Sequence, residues 1–417
     1  MNITQEQYTV LRQGTRRPRI KIDIINERDI VVDSFEGIAT EGNINLTSEG
    51  SYRRNGHLTM IFDKKYNILP SPSSKIWFNK RIGIQIGIES YSGNIVWFNM
   101  GRFAVSEVEL NFDTAEKTLS CQISDYMAFL DGTLGGYLSH EVRLLANEAN
   151  ISDAIRASLT GLGMISVEDI KINGSIAKVP YTVEKSPNST VYELVKELVD
   201  IYKNYDFYCD EKGYFVVEEV RDKKNDPAIE VFDSSDKDFR IASTPSMDFK
   251  NVKNSIWVWG LQKEDGTQIK WNYRNRWARK DTVELDSLID KQKGDICYIE
   301  NKDRSYMWNG NTWEVLDFNV VPKYNIENIG EKKWSYNNDQ IFNEEQARLR
   351  CEYELEQKSN MAETISFSCV PIYYLLPNKK IYINTEDIIE GEYLIKTVSI
   401  PLDFGGSMNV TATKLYY

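Results

Sequence analysis

Asn343-Glu-Glu-Gln-Ala-Arg-Leu-Arg-Cys-Glu-Tyr-Glu-Leu-Glu-Gln-Lys358, with Glu363-Thr-Ile-Ser-Phe-Ser-Cys-Val370 behind it, is the stretch on which the fold of this chain turns. The first segment reads as a helix. Asn343 is placed to cap the first turn, and Gln346 three residues on completes a capping-box pattern. Glu344 and Glu345 suit the positive end of the helix dipole, and Lys358 suits the other end. The second segment reads as a strand, with Ile365, Phe367 and Cys369 on one face and Ser366 and Ser368 on the other. Pro371 stops it. Further strands read around Lys380-Ile-Tyr-Ile383 and from Gly391 to Ile400, then a turn from Pro401 to Gly406 and a last strand from Ser407 to Lys414.

Upstream, Asn254-Ser-Ile-Trp-Val-Trp-Gly260 has strand character and is expected to be the first strand of this same closing domain. The residues between, 261–338, then form an insertion. Within it Gly294 to Ile299, Ser305 to Trp308 and Asn311 to Leu316 make a meander with an Asn309-Gly310 turn. Its aromatic residues Tyr298, Tyr306, Trp308 and Trp313 are the candidate contacts for a glycan or a protein partner, although Trp308 and Trp313 also suit a small core. Further back, Ile151, Ile155, Leu159 and Leu162 fall at helical spacing, with Gly161 and Gly163 as stops. Thr190-x-x-Glu193 is a capping box before an apolar stripe of Val191, Leu194, Val195, Leu198 and Tyr202. A hairpin follows, Asp206 to Cys209 and Tyr214 to Val217, and a charged linker from Arg221 to Pro227.

The amino-terminal part is strand-rich. Ile20, Ile22 and Ile24 alternate with polar residues, and Leu58 to Phe62 is a second strand. Ile82, Ile84, Ile86 and Ile88 carry the clearest period-2 signal in the chain. Ile95 to Phe98, Phe103 to Leu110 and Lys117 to Ile123 complete a set whose short spacing means a barrel or a sandwich. Met1 to Arg19 reads as a solvated arm, with Arg16-Arg17-Pro18-Arg19 as its basic run.

Three of these stretches resemble, in order, the phage tail hub proteins, the baseplate or tail-tip subunits at the end of the tail tube. They are Ser51-Tyr-Arg-Arg-Asn-Gly-His-Leu-Thr-Met60, Ser124-Asp-Tyr-Met-Ala-Phe-Leu-Asp-Gly-Thr-Leu-Gly-Gly136, and the closing run from Gln346 through Val370-Pro371 and Gly391 to Ile395 to the return Pro401 to Met408. The insertion resembles small modules common in phage structural proteins. The resemblance implies an α+β, mostly β chain: two barrel-like tube domains flanking a small α/β domain, with a small β-meander insertion. The expected bounds are 1–130 for the amino-terminal β-barrel, 131–225 for the small α/β domain, 226–260 plus 339–417 for the closing barrel, and 261–338 for the insertion. It further implies a homotrimer that closes the tube, meets the tail tube or distal tail protein, other baseplate or tail-tip proteins and the tape measure protein, and lets DNA pass. The place implied is the virion tail, after synthesis in the bacterial host cytoplasm. The alternative is a carbohydrate- or receptor-binding tail component acting through the aromatic-rich insertion.

Composition bounds the chemistry. At 417 residues the chain is expected to hold two to four domains, on a rough prior of about 150 residues per domain. A formal net charge of −12 argues against specific nucleic-acid binding, which needs clustered Lys and Arg. It suits a lumen that repels phosphates. The five cysteines, Cys121, Cys209, Cys297, Cys351 and Cys369, show no C-x-x-C spacing and read as buried small hydrophobes. No signal peptide and no apolar run of about 20 residues is seen, so stable membrane insertion is not expected. With only His57 and His140, the clustered imidazoles of zinc peptidases are missing. Gly135-Gly136 and Gly405-Gly406 precede no G-K-[ST] and read as turns. Glu141 or Glu148 could serve in a carboxylate pair for glycoside hydrolysis, but a solvated helix face is the plainer reading. No catalytic residue, cofactor or metal site is expected.

Overall fold

Isoleucine at every second position from Ile82 to Ile88 does build a strand, Lys80–Glu89, and all four side chains are at most 1% exposed. Its neighbour Pro18–Asn26 sets Ile22 opposite Ile84 and Ile20 opposite Ile86. On its other side Ile95–Phe112 sets Phe98 opposite Ile86. Such cross-strand apolar pairs, all on a buried face, fix the register, because a slip by one residue would turn every side chain over. The computed structural model describes residues 4–415 except 62, 113–116, 174–177, 180–181, 202–204, 221–224, 234–239, 340, 386–388 and 404. Phe62, Tyr202, Phe404 and the first half of the linker from Arg221 therefore lie outside the described residues. The chain is α+β and mostly β, and it divides into two compact units, Met1–Pro245 with Ile365–Leu415, and Ser246–Thr364.

In the first unit the amino-terminal and carboxy-terminal strands belong to one 13-stranded sheet. Its central junction is antiparallel pairing of Ala39–Thr47 with Ile389–Pro401, from Thr47 opposite Thr397 to Asn43 opposite Pro401. One hydrophobic core runs under both sets, joining Ile22, Ile44 and Phe98 to Phe367, Ile395 and Val410. Strands Arg240–Asp248 and Ala362–Cys369, which lead into and out of the second unit, are neighbours in this sheet.

Where Ala39–Thr47 crosses Arg54–Ile61 the two backbones nearly touch. A Cβ on Gly56 would stand 2.0 Å from the Asn43 carbonyl oxygen. Gly56→Ala is therefore expected to cost about 2 kcal/mol, the usual scale for overpacking, read as a lower denaturant midpoint. An unchanged midpoint would show that the strands have room to part.

The amino-terminal arm is solvated only in part: Val10, Leu11 and Gln13 are buried, whereas Arg17 and Arg19 are exposed. Thr4 caps a short helix, Gln5–Val10, through a complete capping box with Gln7. Val10 and Leu11 are 1% exposed within the core. The Arg12 guanidinium donates to both carboxylate oxygens of Glu230 at 2.6 and 2.7 Å, and Arg16 donates to the Pro371 carbonyl at 2.5 Å. Arg12 of the arm and Arg16 of its basic run thus bind partners more than 200 residues away, a pairing that local sequence does not carry.

The small α/β region packs helices Ile151–Thr160 and Val191–Asp200 against the hairpin Tyr205–Cys209 and Phe215–Glu219, to which Ile170–Ile172 adds in parallel. The Thr190–Glu193 capping box is formed in full, with bonds of 3.2 and 3.0 Å. Asp125 ties this region to the strands before it. Its carboxylate accepts from the backbone N–H of Arg53 at 2.7 Å, Arg54 at 2.9 Å and Met127 at 3.1 Å, and it is fully buried.

The second unit is larger than the expected insertion. Its six-stranded sheet runs in the order Trp313–Val315, Arg304–Trp308, Asp295–Ile299, Gln268–Arg279, Ser255–Gln262, Lys333–Asn337. Ser255–Gln262, expected as the first strand of the closing barrel, is inside it, between Gln268–Arg279 and Lys333–Asn337. Helix Glu344–Lys358 also belongs here. Its stripe Ala347, Cys351 and Leu355 packs on Ile256 and Val258, and the Cys351 thiol donates to the Ile256 carbonyl at 3.4 Å. Ile256 and Val258 would satisfy either sheet, and the small residues of the helix stripe allow close packing on any flat face. Neither pattern names its partner. At the helix start Asn343 accepts from the Gln346 N–H, but the Gln346 side chain accepts from Phe342 N–H, not from Asn343.

Candidate functional site

Period-2 alternation in Gln268–Arg279 sends Ile269, Trp271 and Tyr273 to one face of the second unit's sheet. On the same face Glu344–Lys358 crosses the strands, and the hairpin after Arg304–Trp308 folds toward it. The three walls line a cleft of about 460 Å³ that is half open to solvent. Trp271, Tyr273 and Phe318 line it with aromatic rings, Tyr273 standing edge-on to both of the others at centroid distances of 6.1 and 5.7 Å. Glu344, Arg348 and Glu352 come from the helix, and Asn309, Glu314 and Asp317 come from the hairpin and the segment after it.

The charges of the cleft are mostly committed. Arg348 forks onto Glu345 at 2.8 and 2.9 Å and reaches Glu352 at 3.3 Å. Lys293 lies 3.5 Å from Glu344, and its ammonium sits 4.5 Å from the centre of the Trp271 ring. The Asn309 amide donates to Glu314 at 2.5 Å. Burial pushes the Glu352 carboxyl above the usual range, against the pull of Arg348. Burial likewise pushes the Tyr273 hydroxyl up to about 12, although Arg348 nearby lowers it. Tyr273 is 0% exposed and its hydroxyl lies against the Arg348 guanidinium, whereas the buried Trp271 indole N–H has no hydrogen-bond partner among the described residues.

The aromatic residues singled out in sequence do not all meet. Strand pairing places Tyr306 opposite Cys297 and Trp308 opposite Trp313. Trp313 packs edge-on to Trp308 at 5.6 Å and to Trp277 at 6.3 Å. Tyr306 and Trp313 cover a second small core of Trp277, Leu285, Leu288, Cys297 and Ile299. Tyr298 packs against the other core, under the helix, and its hydroxyl donates to Asp303 at 2.6 Å, which pushes it up to about 12. The cleft residues Trp271 and Tyr273 went unremarked in sequence, although the alternation in Lys270-Trp-Asn-Tyr273 was there to find them. Glu141 and Glu148 are exposed and flank the short strand Val142–Leu144, not a helix. His140 is exposed beside the Ser139 hydroxyl, and His57 lies in a strand opposite Asn43 and Gln122. Among the described residues no group of three or more His, Cys, Asp or Glu could hold a metal ion.

No protein-family model matches the chain, and no curated protein matches it in sequence. Its fold is matched by solved structures along nearly its whole length. It is similar to the tail protein from Neisseria meningitidis MC58, with a TM-score of 0.57 and 10% identity over 95% of this chain and 96% of that one. It is similar to the 43 kDa tail protein of prophage MuSo2 from Shewanella oneidensis, with a TM-score of 0.56 and 14% identity over 95% and 98%. A third is prophage tail protein gp18 from Listeria monocytogenes EGD-e, at 0.52 and 10% over 94% of each.

Proposed function

We propose that this chain, which has the fold of phage tail proteins, is a hub subunit at the end of a tail tube. The carrying observation is the end-to-end match: the likeness spans both units and leaves almost nothing of the tail proteins uncovered. In this reading each half of the 13-stranded sheet curls as a tube-like barrel, residues 1–130 supplying one and the carboxy-terminal strands the other. Three copies place six such barrels in a ring and continue a sixfold tube. The second unit, with bounds wider than 261–338, is an insertion on that ring. The partners are a second and third copy, the tail tube or distal tail protein, other baseplate or tail-tip proteins and the tape measure protein. The place of action is the virion tail, after synthesis in the host cytoplasm. The work is mechanical: closing the tube, organising the baseplate and letting DNA through a lumen whose negative charge does not hold phosphates. No bond is broken by the protein, and no cofactor takes part.

Electron-microscope class averages of the purified protein at high concentration, with its mass by sedimentation, test this. A threefold ring with a central hole and a mass three times the 48.3 kDa of the chain are expected. Compact single particles of one chain mass, persisting when purified tube protein is added, would overturn it.

A further inference from the structure

We propose that the half-strand 104–112 of one copy of this chain hydrogen-bonds, antiparallel, to strand Arg240–Asp248 of the next, so that the 13-stranded sheet continues from copy to copy. The number of copies rests on the hub reading, but the joint itself is read from a repeat inside the sheet. Four neighbouring strands, Arg240–Asp248, Ala362–Cys369, Met408–Lys414 and Ile389–Pro401, are followed by four more, Ala39–Thr47, Arg54–Ile61, Lys117–Ser124 and Ile95–Phe112. The two sets correspond strand for strand, most plainly in the last of each. Ile389–Pro401 and Ile95–Phe112 both begin against a strand outside the set, with Gly391 opposite Ile383 and Gly101 opposite Ile84. Both glycines have positive φ, 144° and 137°. Each strand then bulges at one residue, Lys396 or Ser106, before pairing onward, Val398 opposite Val410 and Val108 opposite Cys121. The correspondence carries Val398 onto Val108 and Ile400 onto Leu110.

The two sets differ in one respect. The second half of Ile389–Pro401 is paired on both sides, to Met408–Lys414 and to Ala39–Thr47. Its counterpart, from Glu107 to Phe112, is paired among the described residues on one side only, to Lys117–Ser124. The counterpart of Ala39–Thr47 is Arg240–Asp248, the first strand of its set, and it too has a single neighbour, Ala362–Cys369. Within the chain, then, the last strand of one set meets the first strand of the other. A last strand and a first strand are what remain open, and between copies they complete the same joint. Burial agrees. Val398 and Ile400 are 1% and 0% exposed at the joint already made, whereas Val108 and Leu110 are only partly buried on the same core. Glu107, Glu109 and Met247 are exposed. Pro245 costs the ladder one donor, and the joint already made also holds a proline, Pro401 opposite Asn43. Head-to-tail contacts of this kind close into rings. The far edge of the sheet, Val31–Glu36, exposes Val31 and Val32, but it has no counterpart in the other set to show how it is filled.

Amide hydrogen exchange read by mass spectrometry tests the joint on the full chain, first dilute, then at high concentration with purified tube protein added. In the assembled ring, residues 104–112 and 240–248 are expected to exchange about tenfold more slowly, or slower still, than in the single chain. Val31–Glu36 is expected to keep its rate. Leu110→Ser is expected to raise the concentration needed for half-assembly by about tenfold or more, and Val31→Ser, on the far edge, to leave it unchanged. A ring in which either 104–112 or 240–248 exchanges as in the single chain would overturn the proposal and leave the hub reading standing. Assembly of Leu110→Ser at the wild-type concentration would do the same. Single chains under every condition would overturn both. Melting temperatures of the variants separate lost assembly from lost folding, and the exchange comparison on the wild type needs no variant.

Discussion

Alanine at Asp125 is expected to destabilise the first unit by about 3–5 kcal/mol, the range for leaving several buried polar groups without a partner. The carboxylate is the acceptor for three backbone donors, Arg53, Arg54 and Met127. It caps the turn Tyr126–Phe129 at the point where the strands give way to the helical region. Without it, all three N–H groups are left in a site that water does not reach. Denaturant unfolding followed by far-UV circular dichroism reads the loss, and a change below 1 kcal/mol would show that the donors find other acceptors. A pH dependence comes with it. Burial pushes the Asp125 carboxyl up to about 6 against those hydrogen bonds, from an ordinary value of 3.8. A carboxyl raised in the folded state favours folding most when protonated. Its contribution is therefore present below about pH 4 and is lost as the pH rises through 6. Two pH units correspond to roughly 3 kcal/mol. Asp125→Asn, which cannot ionise, is expected to remove this decline between pH 4 and 6, and equal slopes for wild type and variant would contradict the assignment.

The second large effect is expected at Arg12. Its removal leaves Glu230, whose side chain is 6% exposed, without its cation. Tyr374 still reaches that carboxylate, but one hydroxyl does not replace a charged fork. Breaking a buried pair on one side costs about 3–5 kcal/mol, and Arg12→Ala is expected near the lower end because Arg12 itself is partly exposed. The helix Gln5–Val10 should then lose its anchor, so amide hydrogen exchange is expected to quicken in residues 5–13 before the rest of the unit responds. The double variant Arg12→Ala/Glu230→Ala is expected to be less destabilised than the sum of the single ones, since neither charge is then left alone. Strict additivity would mean that the two side chains do not stabilise each other.

These two sites also mark where the sequence was legible and where it was not. Elements whose cause is local came through. The isoleucine alternation of residues 82–88, the Thr190–Glu193 capping box and the meander around Asn309-Gly310 each form as their spacing dictates. What failed was partnership. Ser255–Gln262 carries a good strand pattern, but hydrogen bonding to Gln268–Arg279 and Lys333–Asn337 is not written in it. Arg12 and Arg16 look solvated until Glu230 and Pro371 arrive from distant parts of the chain. The cleft was hidden for the same reason. Its aromatic residues were readable one by one, but the helix that roofs them was assigned to another domain, and a cavity belongs to an arrangement.

Long-range pairing also has a consequence in time. Thr47 pairs with Thr397, so a ribosome completes the partner of Ala39–Thr47 about 350 residues later, roughly 20–70 s at 5–20 residues per second. Through that interval the nascent chain carries an open strand edge, able to hydrogen-bond to any extended peptide it meets. Arg12 waits in the same way for Glu230. The junction that makes the sheet continuous can be sealed only when nearly the whole chain has been made, and until then the open edge is exposed to other copies of the same chain.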